Sequence, residues 1–466
     1  MVHPGTPMKT KVALATLGDS RDDFYAKRSG LMAAESAKLD WLRHSFAVVE
    51  SGVLRTAAQI ATFAAEATSW GAQALIVHLP VWADPILTVK LSNHLPLPIL
   101  LLGNTLPQTS SIVGLLGAGG ALDQIGCRHT RGLDYTTAEE QRQVLAFLAA
   151  AGARAALRGQ TLGLFGGRSL GIFTATADPA QWQRLFGVDI EYVDQAEIVA
   201  RAESLPSDEV ERHLSWFTGC VGSVTYGEAF TPLKLERQVR SYLATRHLVA
   251  ERGFDFVGVK CQPELSDGYV SQCVAHTLLN GTLDADGAKA ATVHACESDA
   301  DGALTMQILH LLTGGHPVAL LDVRWLNQST GLWTLANCGA TAAALCATSA
   351  DPTGLSAIHL VPHAFGQGGG GALSAVVAPQ PVTLARLCRR DGEYWMAIVS
   401  GCTEYATRED RALTTPAFPQ AFLRAKAGRD FIMEYGSNHL HMTSGEHVEE
   451  LVAFCRQAGI PYKVWR

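Results

Sequence analysis

Charge is scarce in this chain. Of its 466 residues only 17% are Asp, Glu, Lys or Arg, while 47% are hydrophobic. A chain so apolar buries enough surface to offset the entropy of ordering, which excludes intrinsic disorder. Basic clusters are missing too: the 37 Lys and Arg are scattered among 44 Asp and Glu, for a net charge of -7. A polyphosphate binder needs a basic stripe, so nucleic acid is excluded and small partners are favoured. The ten cysteines include no Cys-x-x-Cys pair, and Cys296, Cys346 and Cys455 sit in apolar runs that read as core, which predicts a reducing compartment. No apolar run is long enough to span a bilayer, and "MVHPGTPMKTKVALATLG" lacks the charged-then-apolar build of a signal peptide. The expected location is the cytoplasm, with the residues before Met8 a loose extension. The segment after the first strand, "TLGDSRD", has one glycine where a dinucleotide fingerprint needs three, which disfavours a nicotinamide or flavin cofactor.

What is present is an alternation of short apolar runs and helical patterns. "KVALATLG", "HSFAVVE", "ALIVHLP" and "PILLLG" read as strands separated by helices, and "TLGLFGG", "VDIEYVD" and "FDFVGVKC" continue the pattern beyond Gly159. Such alternation predicts parallel sheets with helices on both faces. The glycines of "LFGGRSLG" could cradle an anion beside Arg168, but turns of this kind more often use glycine for backbone reasons. From about Ala342 the runs shorten between Gly, Pro and turn signals such as "RRDGEY", which points to an antiparallel sheet or barrel. The end, "HVEELVAFCRQAGI" and "PYKVW", reads as an amphipathic helix and a closing strand. The expected fold is α/β, with two three-layer, Rossmann-like parallel-sheet domains at 1–157 and 158–311 and a third domain, carrying an antiparallel β-barrel, at 312–466.

Within "HACESDADGALTMQILHLLTGGHPVALLDVRW" the pattern is strand, helix, strand, a βαβ unit that places Glu297 and Asp322 at carboxyl ends on one sheet edge. Adjacent strands lie about 4.8 Å apart, so the two anions would repel unless a shared proton, a cation such as Arg324, or a metal ion compensates them. Ser298 and Asp299 are candidates to cap the intervening helix. A third polar cluster, Asn438, His439 and His441 in "YGSNHLHMTSGEHVEEL", reads as lying just before a helix capped by Thr443 or Ser444. His441, His447, His310 and His316 read as structural.

These three runs, "CESDADGALTM", "LLTGGHPVALLDVRW" and "GSNH", resemble the L-fucose isomerase and L-arabinose isomerase superfamily, most closely its fucose isomerase branch. The resemblance implies that Glu297, Asp322 and His439 bind one divalent cation, Mn2+ with Mg2+ or Co2+ as alternatives. Two carboxylates and one imidazole leave about three octahedral positions for water or substrate oxygens, an open arrangement suited to hard cations. It further implies an aldose-ketose isomerase working through an enediolate, with Glu297 and Asp322 as acid and base, probing sugars that range from L-fucose-like and pentose substrates to sulfoquinovose. By the same resemblance Trp82 in "HLPVWADP", Gln262 in "VKCQPELSDG" and Asn438 contact substrate. Arg21 in "GDSRDD" would reach a neighbouring subunit's site in a homo-hexamer. Two rivals stand beside this reading: a metal-dependent aldolase using the same chemistry, and a sugar-binding or sensor protein without turnover.

Overall fold

The computed structural model describes residues 10–348 and 350–466. The expected loose extension before Met8 lies outside the described residues. Two compact units result, one of residues 10–156 with Glu449–Ile460, the other of the described residues of 157–448 with Pro461–Arg466.

In the smaller unit β1 (Lys11–Leu17), β2 (Ala47–Leu54), β3 (Ala74–His78), β4 (Ile99–Gly103) and β5 (His129–Leu133) form one sheet in the order β2-β1-β3-β4-β5. All its pairings are parallel. Strands β3 and β4 are buried at every residue, as expected where helices cover both faces of a parallel sheet. The helix Val448–Ala458, read from sequence as amphipathic, contributes most of its length to this unit.

The larger unit begins with β6 (Thr161–Phe165), β7 (Asp189–Val193), β8 (Ser223–Val224), β9 (Phe256–Val259), β10 (Leu283–Asp284), β11 (Gly287–Ala288) and β12 (His294–Cys296). Four of these make a parallel sheet in the order β12-β9-β6-β7. The polar stretch from Gln195 is two helices, Ala196–Glu203 and Ser207–Cys220, separated where Pro206 cannot continue a helix.

The remainder is rich in strands: β13 (Ala319–Asn327), β14 (Leu332–Ala336), β15 (His359–Pro362), β16 (Gly371–Ser374), β17 (Pro381–Arg390), β18 (Glu393–Thr403), β19 (Gln420–Ala425), β20 (His439–Ser444) and β21 (Tyr462–Trp465). Seven of them run in the order β17-β20-β13-β14-β19-β18-β21, and β17 also pairs with β18. Every pairing is antiparallel except that of β21 with β18. The "RRDGEY" turn is the two-residue hairpin expected: Asp391 and Gly392 join β17 to β18 with φ of 51° and 83°, the left-handed pair that matches strand twist.

Two sequence expectations need correction here. Strands β12 and β13 do not form a βαβ unit, because β12 lies at the edge of the parallel sheet and β13 lies inside the antiparallel one. The helix Ala300–Leu312 between them packs on β17 and β20 as well as on β12 and β9, with eleven of its thirteen residues buried. Buried on nearly every face, it is the layer between two different sheets rather than a crossover on one. Asp322 is accordingly mid-strand, since β13 runs on to Asn327. Likewise, His439, His441, Thr443 and Ser444 form strand β20, and the terminal helix starts only at Val448.

Gly163 in β6 marks a close approach: a Cβ built there would fall 2.3 Å from the Phe254 ring. Gly163→Ala should destabilise the protein by roughly 1–3 kcal/mol through overpacking. A urea melt would register this as a lower midpoint at unchanged slope; an unaltered midpoint would mean the ring yields freely.

Candidate active site

Glu297 follows the last residue of β12, where the chain leaves the sheet in an unusual conformation. Glu297 and Ser298 have φ of 59° and 53°, a left-handed pair of non-glycine residues. Each such residue costs on the order of 1–3 kcal/mol, and such strain gathers at functional sites. The Ser298 N–H donates to Val259 O (3.1 Å) at the end of β9, so the neighbouring strand anchors the turn. Gly258 on β9 lies beside this turn: a Cβ there would be in ordinary contact with Ser298 Cα at 3.6 Å and would crowd Leu164 Cδ1 at 2.9 Å.

Asp322 and His439 are brought together by register, as direct partners across antiparallel β13 and β20. Cross-strand partners project to the same face. His439, 1% exposed, stands between the two carboxylates, its Nε2 3.2 Å from Glu297 Oε2 and 3.6 Å from Asp322 Oδ1. On its far side Nδ1 is 2.7 Å from Asp299 Oδ2. Asp322 is further held by Asn438 Nδ2, which donates to Oδ1 (3.2 Å), and by Arg324 Nη2, which donates to Oδ2 (2.8 Å).

The electrostatics follow from burial and pairing. Burial opposes a charged imidazole, but the Asp299 hydrogen bond and the negative charges of Asp299 and Glu297 close by outweigh it and push His439 up to about 10. Burial also raises the Asp322 carboxyl, against the lowering influence of His439 and Arg324. Asp299 is held below the usual carboxylate range, because the Arg386 guanidinium and His439 overcome its burial. Glu297 Oε2 is a buried acceptor with no aligned donor; the approach of His439 Nε2 is an ion-pair distance, not a directed hydrogen bond. An orphaned carboxylate oxygen 3.2 Å from an imidazole nitrogen that in turn lies 3.6 Å from a second carboxylate is a donor set of the kind a hard divalent cation takes.

The other expected site residues fall in two places. Gln262 lies just beyond the carboxyl end of β9, the neighbour of β12; its Nε2 is 3.9 Å from Cys338 Sγ and its carbonyl accepts from Ser169 Oγ (3.1 Å). Trp82 and Arg21 belong to the smaller unit, after the carboxyl ends of adjacent strands β3 and β1. Arg21 grips Asp19 with two hydrogen bonds, Nε to Oδ1 (2.8 Å) and Nη2 to Oδ2 (2.7 Å), and lies over the Phe24 ring. The residue sequence reasoning missed is Asp299. It does cap the helix as expected, accepting from Gly302 N (2.9 Å), but it also holds His439. The only signal was its place two residues after Glu297.

Among the described residues, the group of three ligand types with all donor atoms within 4.8 Å of one another is elsewhere: His213, Asp284 and Asp286. Its carboxylates are already engaged. Arg246 donates to Asp284 and Asp286 (2.8 Å each), Tyr242 donates to Asp284 (2.5 Å), and Arg212 pairs with Asp286. The carboxylates of that cluster are balanced by guanidinium charge and its unpartnered atom is an imidazole nitrogen, His213 Nε2, whereas at the first site the unsatisfied atom is a carboxylate oxygen of Glu297.

Residues 335–466 match the family model described as L-fucose isomerase, C-terminal domain. A sulfoquinovose isomerase from Alkalicoccus urumqiensis is 26% identical over 193 residues, covering 41% of this chain and 41% of its own. L-fucose isomerases from Bacteroides thetaiotaomicron and Phocaeicola vulgatus are each 28% identical, covering 40% and 38% of this chain and 36% and 35% of theirs. Over these segments the chain is similar to L-fucose isomerases and to a sulfoquinovose isomerase. The matches span about two fifths of the length of these relatives. The family match contains Asn438 and His439, while Glu297 and Asp322 precede it. A solved periplasmic solute binding protein from Actinobacillus succinogenes with bound D-allose, at a TM-score of 0.15 and 12% identity over 55% of this chain and 80% of its own, is too distant to bear on fold or function.

The raised affinity of His439 for its proton has a consequence for chelator-treated protein. A group whose pKa is higher folded than unfolded stabilises below its unfolded value of about 6.5, and that contribution is lost as pH rises through the folded value. The melting temperature should therefore fall between about pH 7 and pH 10. In His439→Gln the fall should be shallower; an identical profile in the two proteins would contradict the paired imidazolium.

Proposed function

We propose that the protein is a divalent-cation-dependent aldose-ketose isomerase acting through an enediolate of the sugar. The observation that carries this reading is His439 standing between Glu297 and Asp322, with a buried Glu297 oxygen left without an aligned donor. Glu297, Asp322 and His439 would hold the cation, Mn2+ before Mg2+ or Co2+. When bound, it supplies electrophilic polarisation of the sugar carbonyl and acidifies the hydrogen on C2.

The chain's own groups supply the proton transfers. One carboxylate takes the C2 proton and returns it to C1, while the other moves the hydroxyl proton between the two oxygens. Arg324 and Asn438 fix the plane of the Asp322 carboxylate, so its free lone pairs keep one direction. Burial raises its basicity toward that task. Gln262, just past the carboxyl end of β9 and so beside the strand that leads to Glu297, would donate to sugar hydroxyls. Trp82 would offer an indole face to the apolar side of a sugar, and Arg21 would reach a neighbouring subunit's site in the oligomer.

The wider reading is of a cytoplasmic homo-hexamer with domains 1–157, 158–311 and 312–466, the ring of pairings in the third forming a barrel. No helix among the described residues is long and apolar enough to cross a membrane. Candidate substrates are L-fucose-like sugars, pentoses and sulfoquinovose, and relatives named for two of these support the choice.

Incubating a panel of aldoses and ketoses in D2O with Mn2+ should exchange the C2 hydrogen of one of them and shift its carbonyl without carbon-carbon cleavage. Chelation should stop both. Glu297→Gln should lower kcat about 10²–10⁴-fold while the melting temperature of the chelated protein stays near that of the parent. Cleavage products would favour an aldolase; sugar binding without exchange, unaffected by chelator or by Glu297→Gln, would favour a binding protein.

A further inference from the structure

The strongest hydrogen-bond network at the site lies behind His439. Asp299 and Arg386 are both 0% exposed, and Arg386 clasps the carboxylate with Nη1 to Oδ2 (2.5 Å) and Nη2 to Oδ1 (2.9 Å). Its Nη2 also donates to Thr174 O (2.5 Å), which fixes the guanidinium from a third side. Asp299 Oδ1 accepts from Gly302 N, and Oδ2 faces His439 Nδ1 at 2.7 Å. Gly302 makes room for the clasp: a Cβ there would lie 2.4 Å from Asp299 Oδ2 and 2.6 Å from Arg386 Nη1.

With Arg386 donating to both oxygens, Asp299 is an acceptor toward the imidazole. An acceptor at Nδ1 demands a proton there. The neutral ring is then forced into the tautomer whose lone pair is on Nε2, the nitrogen aimed between Glu297 and Asp322. We propose that Asp299, locked by Arg386, is a positioning residue that fixes the tautomer and orientation of His439 so that Nε2 is available as a cation ligand. This rests on the metal-site reading above and deepens it. A helix cap alone would not require the Arg386 clasp, because Ser, Thr or Asn fills that role equally well.

The test uses Mn2+ itself on the full chain, with the free aquo-ion signal in electron paramagnetic resonance as the readout. Wild type should bind Mn2+, while Glu297→Gln and His439→Gln should lose most of that affinity. Asp299→Asn puts an amide N–H group where the imidazole needs an acceptor, and should weaken Mn2+ binding about 10–100-fold. Melting of the chelated proteins and circular dichroism report folding separately. Weakened Mn2+ binding in a folded Asp299→Asn supports the assignment; wild-type affinity in that variant, with Glu297→Gln and His439→Gln impaired, overturns it while leaving the metal site standing. Binding by wild type that is indifferent to Glu297→Gln and His439→Gln, or no binding at all, removes the metal-site reading and this inference with it.

Should Asp299→Asn fail to fold, the wild type itself decides. In protein labelled with ¹⁵N-histidine and saturated with Mg2+, a diamagnetic ion, His439 should carry its proton on Nδ1. A proton on Nε2 overturns the proposal.

Discussion

The site is organised around one constraint: a cluster of charges that must be buried without being left alone. Arg386, Asp299 and His439 are almost completely shielded, and Glu297 and Asp322 are shielded in large part. Removing an ion from water costs several kcal/mol, and only close opposite charges with their hydrogen bonds satisfied offset it. Along the row the signs alternate, from the Arg386 guanidinium through Asp299 and His439 to the two carboxylates, with Arg324 closing the far side at Asp322. With His439 protonated, three positive groups face three negative ones. A cation entering beside Nε2 would displace that proton, so metal and proton compete for the same place between the carboxylates.

The fold supplies this arrangement from two sheets that meet across one buried helix. Glu297 comes from the edge of the parallel sheet through a strained turn, Asp322 and His439 come from adjacent antiparallel strands, and Asp299 comes from the cap of the helix between them. Each contributor is fixed by a different device: backbone strain anchored on β9, cross-strand register, and a capping hydrogen bond. The same helix packs on β17, which carries Arg386, so the clasp on Asp299 also joins the two sheets.

Much of this was legible in the sequence because the informative motifs are local. The Asp391-Gly392 hairpin, the alternation of strands and helices in the first half, and the cap at Asp299 each depend on a few adjacent residues. The polar runs containing Glu297, Asp322 and His439 stood out against an apolar background for the same reason. The partner sheet of β13 was not legible, because a buried run such as "PVALLDV" looks alike in a parallel or an antiparallel sheet, and a helix buried on every face gives no sign of which two layers it separates. The strand nature of "HLHMTS" was hidden by the terminal helix signal close behind it. Asp299 was passed over because helix capping already accounted for it, and no local pattern distinguishes a cap from a cap that also orients a histidine.

The same comparison of charges separates the arginines of the chain by what already engages them. Arg324 is engaged by Asp322 and Arg21 by Asp19. Arg168 is exposed and lies over the Phe173 ring, with no ion pair among the described residues. It adjoins Ser169, whose hydroxyl bonds the carbonyl of Gln262, so its loop is tied to the segment following β9 and hence to the edge from which Glu297 emerges. A guanidinium already paired must give up one partner to gain another, whereas one stacked on an aromatic face keeps its donors free in its plane. On that ground an added anion would be met at lower cost by Arg168 than by Arg324.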